Sequence, residues 1–115
     1  MAKFDPECVF CQRIEDQAYD HYDTLTVAFR PLNPVTPGHM LVIPRRHVAD
    51  ASQIAAVAGQ TMYFAAKLAQ DLGEDYNILT SKGPEATQTV FHLHLHLIPR
   101  RSGDGLLLPW SNQLK

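Results

Sequence analysis

Val90-Phe91-His92-Leu93-His94-Leu95-His96-Leu97 sets three histidines in strict alternation with apolar residues. In an extended strand, successive side chains turn to opposite faces. His92, His94 and His96 therefore line one face, and Phe91, Leu93, Leu95 and Leu97 the other. The apolar face can enter a core while the imidazoles meet a cleft. A helix would scatter the same residues around its axis and serve neither purpose. Half of the six histidines fall in this stretch, and imidazole is the side chain best suited to proton transfer, nucleophilic attack or metal binding near neutral pH.

Working outward, residues 25–29 and 39–43 read as strands, the second closed by Pro44. They form an antiparallel hairpin whose wide connection is stiffened by Pro31, Pro34, Pro37 and Gly38. Asp50 or Ser52 caps a long helix running to Leu72. Ile54, Val57, Ala58, Met62, Ala65, Leu68 and Leu72 follow helical spacing, and Gly73 is the stop. Residues 76–80 make a third strand, residues 82–88 a loop, and residues 89–98 the histidine strand, ended by Pro99. A helical turn over residues 9–15 follows the cysteines. Strands outnumber the single long helix and their connections are short. The fold class is therefore α+β, an antiparallel sheet with one long helix packed on a face. The 115 residues read as one domain, 1–115.

An apolar fraction of 45% excludes a disordered chain. A net charge of −2 argues against a broad nucleic-acid surface. Arg45-Arg46 and Arg100-Arg101 are local basic pairs whose ordinary reading is solvated surface. No apolar stretch is long enough to cross a membrane, and Met1-Ala2-Lys3-Phe4-Asp5-Pro6 lacks a signal-peptide core, so the expected compartment is the cytoplasm. Cys8 and Cys11 are the only cysteines. In a reducing compartment their spacing suggests a metal half-site or a redox pair. No strand precedes them, which favours metal.

Side chains at i and i+2 of a strand lie about 6–7 Å apart. Two of the three histidines could share a zinc ion. Alternatively, one attacks an electrophile while a neighbour manages protons. Gln88 to Arg100 resembles the histidine triad signature, His-φ-His-φ-His-φ-φ with φ apolar, of the HIT superfamily of nucleotidyl hydrolases and transferases. Pro37-Gly38-His39-Met40-Leu41-Val42-Ile43-Pro44-Arg45-Arg46-His47 is similar to the family's Pro-Gly-His strand and basic turn. Cys8-Val9-Phe10-Cys11 resembles the start of the bacterial zinc-containing members, and Gly83-Pro84-Glu85-Ala86 is similar to the dinucleoside polyphosphate hydrolases.

The resemblance implies a HIT-like fold, a nucleotide substrate, a homodimer and a covalent mechanism. His94 would attack the α-phosphorus, with its tautomer fixed by the carbonyl of His92. His96 would contact the scissile phosphate, and His39 would support the triad from the adjacent strand. Gln88, Thr89, Asn33 and Ser81 are the implied nucleotide- and phosphate-binding residues. Cys8, Cys11, His47 and His92 are the implied ligands of a structural zinc, a closed tetrahedral set. Two departures bear on substrate. Pro31 stands where many relatives carry Asp or Asn for the ribose hydroxyls, leaving Asn33 as the substitute. Thr87 stands where the family has Gly, and its Cβ opposes positive φ. The substrate expected is a dinucleoside polyphosphate or a nucleoside phosphoramidate. The rival readings are a nucleotide-binding module without turnover and a metal site built from the triad itself. His21 reads as a solvated loop histidine.

Overall fold

Five short segments pair into one antiparallel sheet in this computed structural model, which describes residues 4–111. They are β1 (His21–Tyr22), β2 (Thr26–Phe29), β3 (Met40–Pro44), β4 (Asp75–Leu79) and β5 (Leu95–Arg100), in spatial order β1-β2-β3-β5-β4. Two helices complete the fold, α1 (Val9–Glu15) and α2 (Ala55–Gln70), with a 3₁₀ turn at Pro84–Ala86. The expected hairpin is present: β2 pairs with β3 through Val27 opposite Ile43 and Phe29 opposite Leu41. β5 then inserts between β3 and β4, setting His96 opposite Leu41 on one side and Leu79 on the other.

The central strands β2, β3 and β5 are largely buried on both faces, and each face has its own core. On one side α2 packs Val57, Phe64 and Ala65 against Ala28, Val42, Leu93 and Leu95. On the other, the N-terminal segment packs Cys8, Phe10 and Cys11 against Val27, Phe29, Leu41 and Ile43. Every side chain of β2 is consequently buried. The imidazole of His96 shares the second face, because directly opposed residues of antiparallel strands point the same way. The triad thus belongs to the smaller core, whose lid is α1.

Several element boundaries differ from the sequence reading. The histidine strand joins the ladder only at Leu95, so residues 89–94 are outside it. Pro99 does not end the strand but pairs with Tyr76, and Pro44 pairs with Thr26. α2 starts at Ala55 with Ile54 as an N-cap lacking any side-chain cap bond. Asp50 is not that cap, because its carboxylate accepts from the backbone and hydroxyl of Ser52 in a local turn that competes with helix. The buried stripe of α2 is Val57, Thr61, Phe64, Ala65 and Ala69, whereas Met62 faces solvent. Thr61 enters the core because its hydroxyl donates to the Val57 carbonyl at 2.7 Å. His21 lies on the short edge strand β1 and is exposed. No helix among the described residues is long and apolar enough to cross a membrane.

Candidate functional site

The backbone around His92 and His94 leaves the ladder, which frees carbonyls that a regular sheet would occupy. The Leu93 amide donates to the Val48 carbonyl at 2.7 Å. Nδ1–H of His94 donates to the His92 carbonyl at 2.8 Å. The hydroxyl of Thr80 donates to the His94 carbonyl at 2.7 Å. These contacts fix the His94 backbone and its tautomer together. Since one nitrogen of a neutral imidazole donates and the other accepts, Nε2 of His94 carries the free lone pair. Its ring stands edge-on to Phe10 at 5.1 Å and to His96 at 5.3 Å between centroids.

A second relay sets His96. Gly38 adopts φ +89°, and a Cβ there would lie 3.1 Å from the Pro99 ring, so the turn before β3 requires glycine. That turn brings His39 against the triad. The Val35 amide donates to Nδ1 of His39 at 3.1 Å, which makes Nε2 of His39 the donor to Nδ1 of His96 at 3.0 Å. The remaining nitrogen of His96, Nε2, must then carry a proton. Burial, with His94 and His39 nearby, lowers His96 to about 4, so it is neutral near pH 7. Burial also lowers His39. His96 and His94 thus present an N–H donor at one Nε2 beside a lone pair at the other.

His92 serves two sites. Its carbonyl holds His94, whereas its imidazole turns the other way. Nε2–H donates to the Pro44 carbonyl at 2.8 Å, leaving Nδ1 as a free lone pair. Burial, with His47 and His94 adding to it, lowers this imidazole to about 4. Nδ1 lies 3.4 Å from Cys8 Sγ, 3.5 Å from Cys11 Sγ and 3.2 Å from His47 Nδ1, and Cys11 Sγ is 3.3 Å from His47 Nδ1. All four ligand atoms fall within 4.8 Å of one another. A tetrahedron with metal–sulfur bonds of about 2.3 Å and metal–nitrogen bonds of about 2.0 Å has edges of about 3.3 Å between nitrogens and about 3.5 Å between sulfur and nitrogen. The observed spacings match, so Cys8, Cys11, His47 and His92 can hold a metal such as zinc. The local fold prepares this set: Cys8 is the N-cap of α1, and its sulfur accepts from the Cys11 amide at 3.3 Å. Burial raises the Cys11 thiol to about 11, so an ion must displace its proton to bind.

Beside the triad lies a cavity of about 570 Å³. His39, His96, Thr89, Asn33 and Arg13 contribute its polar groups, and Phe10, Phe29, Val35 and Leu41 much of its apolar wall. Pro31 lines it too, so the position expected to lack a ribose partner does face the cavity. Thr89 is exposed at its rim. Ser81 is half-buried on the loop after β4 and makes no hydrogen bond among the described residues. Gln88 is placed differently from a direct phosphate ligand. It is buried, its amide donates to the carbonyls of Ala49 and Val90, and its oxygen accepts from the Gly83 amide at 2.8 Å. It braces the loop that precedes the triad. Thr87, next to it, holds φ +68° despite its Cβ.

Three contributors were missed by the sequence reading. Thr80 gave no signal, because its partner is fourteen residues away. Phe10 lies between the two cysteines and is carried with them onto His94. Arg13 lines the cavity, one helical turn further along α1.

Comparison with known proteins agrees with this geometry. Residues 15–103 match the family model described as HIT domain. The chain is 34% identical to Protein hit of Bacillus subtilis over 90% of its length and 79% of that protein. It is 35% identical to adenosine 5'-monophosphoramidase HNT1 of Saccharomyces cerevisiae, over 97% of this chain and 75% of that one. A solved HIT family hydrolase from Clostridium thermocellum superposes with a TM-score of 0.78 at 33% identity, covering 90% of this chain and 99% of that one. The family model and these relatives each cover most of the chain, and the chain belongs to the HIT family.

Proposed function

We propose that this protein cleaves a nucleotidyl phosphoramidate or phosphoanhydride through a covalent nucleotide on His94. The observation that carries the reading is the bond from Nδ1–H of His94 to the His92 carbonyl, because it leaves Nε2 as a nucleophile. Nε2 attacks the α-phosphorus and bonds to it while the bond from phosphorus to the leaving atom breaks, its electron pair departing with the leaving group. Positive charge then develops on the His94 ring, and the His92 carbonyl stabilises it as a fixed dipole. Nε2–H of His96 donates to a phosphoryl oxygen or to the leaving atom. Water afterwards displaces His94 and releases the nucleoside monophosphate. Splitting one difficult displacement into two easier ones is the gain of covalent catalysis.

The apolar walls and polar end of the cavity suit a nucleoside whose phosphate lies at His96. Thr89 and Asn33 face it for phosphate or sugar contact, with Ser81 on the loop behind and Gln88 acting through loop position. That the yeast relative is an adenosine 5'-monophosphoramidase favours a phosphoramidate over a dinucleoside polyphosphate. Zinc is proposed as the ion of the Cys₂His₂ set, in a structural role: it would hold α1, and with it Phe10, against His94. It takes no part in the reaction steps. We also propose a single domain over 1–115, a cytoplasmic setting and a homodimer. β4 is an edge of the sheet and leaves Tyr76 and Leu79 partly exposed, and light scattering on the purified protein tests the dimer. The catalytic reading is tested by turnover of adenosine 5'-phosphoramidate: wild type should release AMP, and His94→Ala should lose nearly all of it while remaining folded. Near wild-type turnover in the variant would refute the mechanism.

A further inference from the structure

Arg13 lines the cavity, yet the triad chemistry gives it no role. Its guanidinium carbon lies 4.1 Å over the centroid of the Phe29 ring, and its Nε donates to the Ala18 carbonyl at 3.0 Å. Among the described residues it has no carboxylate partner. These two anchors fix the plane of the guanidinium and leave both terminal amino groups as donors. Arginine has no acceptor atom at all.

Its place in the cavity is definite. Arg13, Pro31 and Leu32 line both this cavity and a neighbouring surface hollow, whereas His39, His96 and Thr89 line the cavity and not that hollow. Arg13 therefore stands at the pole away from the triad. A nucleotide whose phosphate reaches His94 and His96 extends its base past Phe10 and Phe29 toward that pole. This step rests on the function proposed above for where the phosphate lies.

We infer that Arg13 selects a base with a keto group, guanine over adenine. Guanine presents two acceptors, O6 and N7, along one edge, and the guanidinium fork matches such a pair with two parallel hydrogen bonds. Adenine presents N7 beside an N6 amino donor, which would face another donor. A bidentate pair of this kind discriminates against the wrong base by about tenfold or more. Little ordering cost is added, because the guanidinium is already held by Phe29 and Ala18.

The test is calorimetric binding of GMP, IMP and AMP to wild type and to the Arg13→Leu and Arg13→Lys variants, which needs no turnover. GMP and IMP should bind about tenfold or more tighter than AMP, since inosine keeps O6 and N7. In both variants the ratio should collapse to about twofold or less through weaker GMP and IMP binding, because lysine keeps the charge but not the fork. AMP binding as tightly as GMP to wild type would overturn the inference. So would selectivity that survives Arg13→Leu, weak IMP beside strong GMP, no binding of any of the three, or equal weakening of all three, which would make Arg13 a phosphate contact. Base selectivity without turnover of any phosphoramidate would refute the catalytic reading alone. Turnover without selectivity would refute only the role of Arg13.

Discussion

Replacing Thr87 with glycine should stabilise this protein. Thr87 sits at φ +68° and ψ +22°, the left-handed region that a β-branched residue almost never occupies. The conformation is imposed from both sides. The Thr87 amide donates to the Pro84 carbonyl at 2.9 Å, the Gln88 amide donates to the Gly83 carbonyl at 3.0 Å, and the buried Gln88 side chain ties the same loop to Ala49. Holding an L residue there costs about 1–2 kcal/mol. Glycine removes that strain but loses about 0.5–1 kcal/mol through the greater freedom of the unfolded chain. The Thr87 side chain is exposed and donates only to the adjacent Ala86 carbonyl, a bond water replaces at little cost. The net gain is about 0.5–1 kcal/mol, or roughly 2–6 °C in Tm for a domain of this size. Urea unfolding of wild type, Thr87→Gly and Thr87→Val measures it. Glycine should raise the midpoint at unchanged slope, whereas valine, which keeps the branch, should not. A Thr87→Gly midpoint equal to or below wild type would refute the strain argument.

Three other outcomes follow from the site. Elemental analysis should find about one zinc per chain, and a chelator should lower Tm by roughly 10 °C if the ion is bound at about a hundred times its Kd. No metal, and a Tm indifferent to chelator, would contradict the Cys₂His₂ reading. Acid should destabilise the fold: His96 is held near 4 against an ordinary 6.5, so the unfolded chain takes up the proton first. Stability is then fully present above about 6.5 and lost as pH falls toward about 4. The urea midpoint between pH 7.5 and 5 should fall less in His96→Gln than in wild type, and equal falls would contradict it. Because Pro31 cannot pair the ribose hydroxyls, kcat/KM for matched adenosine and deoxyadenosine phosphoramidates should differ little. A ribose preference above about a hundredfold that survives Asn33→Ala would show another group reading the sugar.

The alternation of His92, His94 and His96 made the strand, the two-faced sheet and the nucleophile legible in the sequence. It could not show that the chain leaves the ladder before Leu95. β4 ends at Leu79 opposite His96, but β3 runs on to Pro44, past Val42 opposite Leu95, so no strand end marks the exit, which frees the carbonyls around His94. It also leaves Phe91 about half exposed, although the pattern assigned it to the core. The division of His92 between a carbonyl for His94 and an imidazole for the cysteines is likewise a property of three-dimensional packing. Thr61 was overlooked in α2 because its polarity hides it from a hydrophobic pattern, and Met62 was included for the opposite reason. Spacing alone made only Cys8 and Cys11 legible as a metal half-site, whereas the family resemblance supplied His47 and His92, which lie far away in sequence and meet the cysteines in the fold.

The account rests on His94 forming a bond to phosphorus. Wild-type protein mixed with a nucleoside phosphoramidate, quenched during turnover and digested, should yield the peptide containing residues 92–96 with one added nucleotide on His94, and His94→Ala should yield none. Turnover with no adduct on His94, or with the nucleotide mapped to His92 or His96, would contradict it.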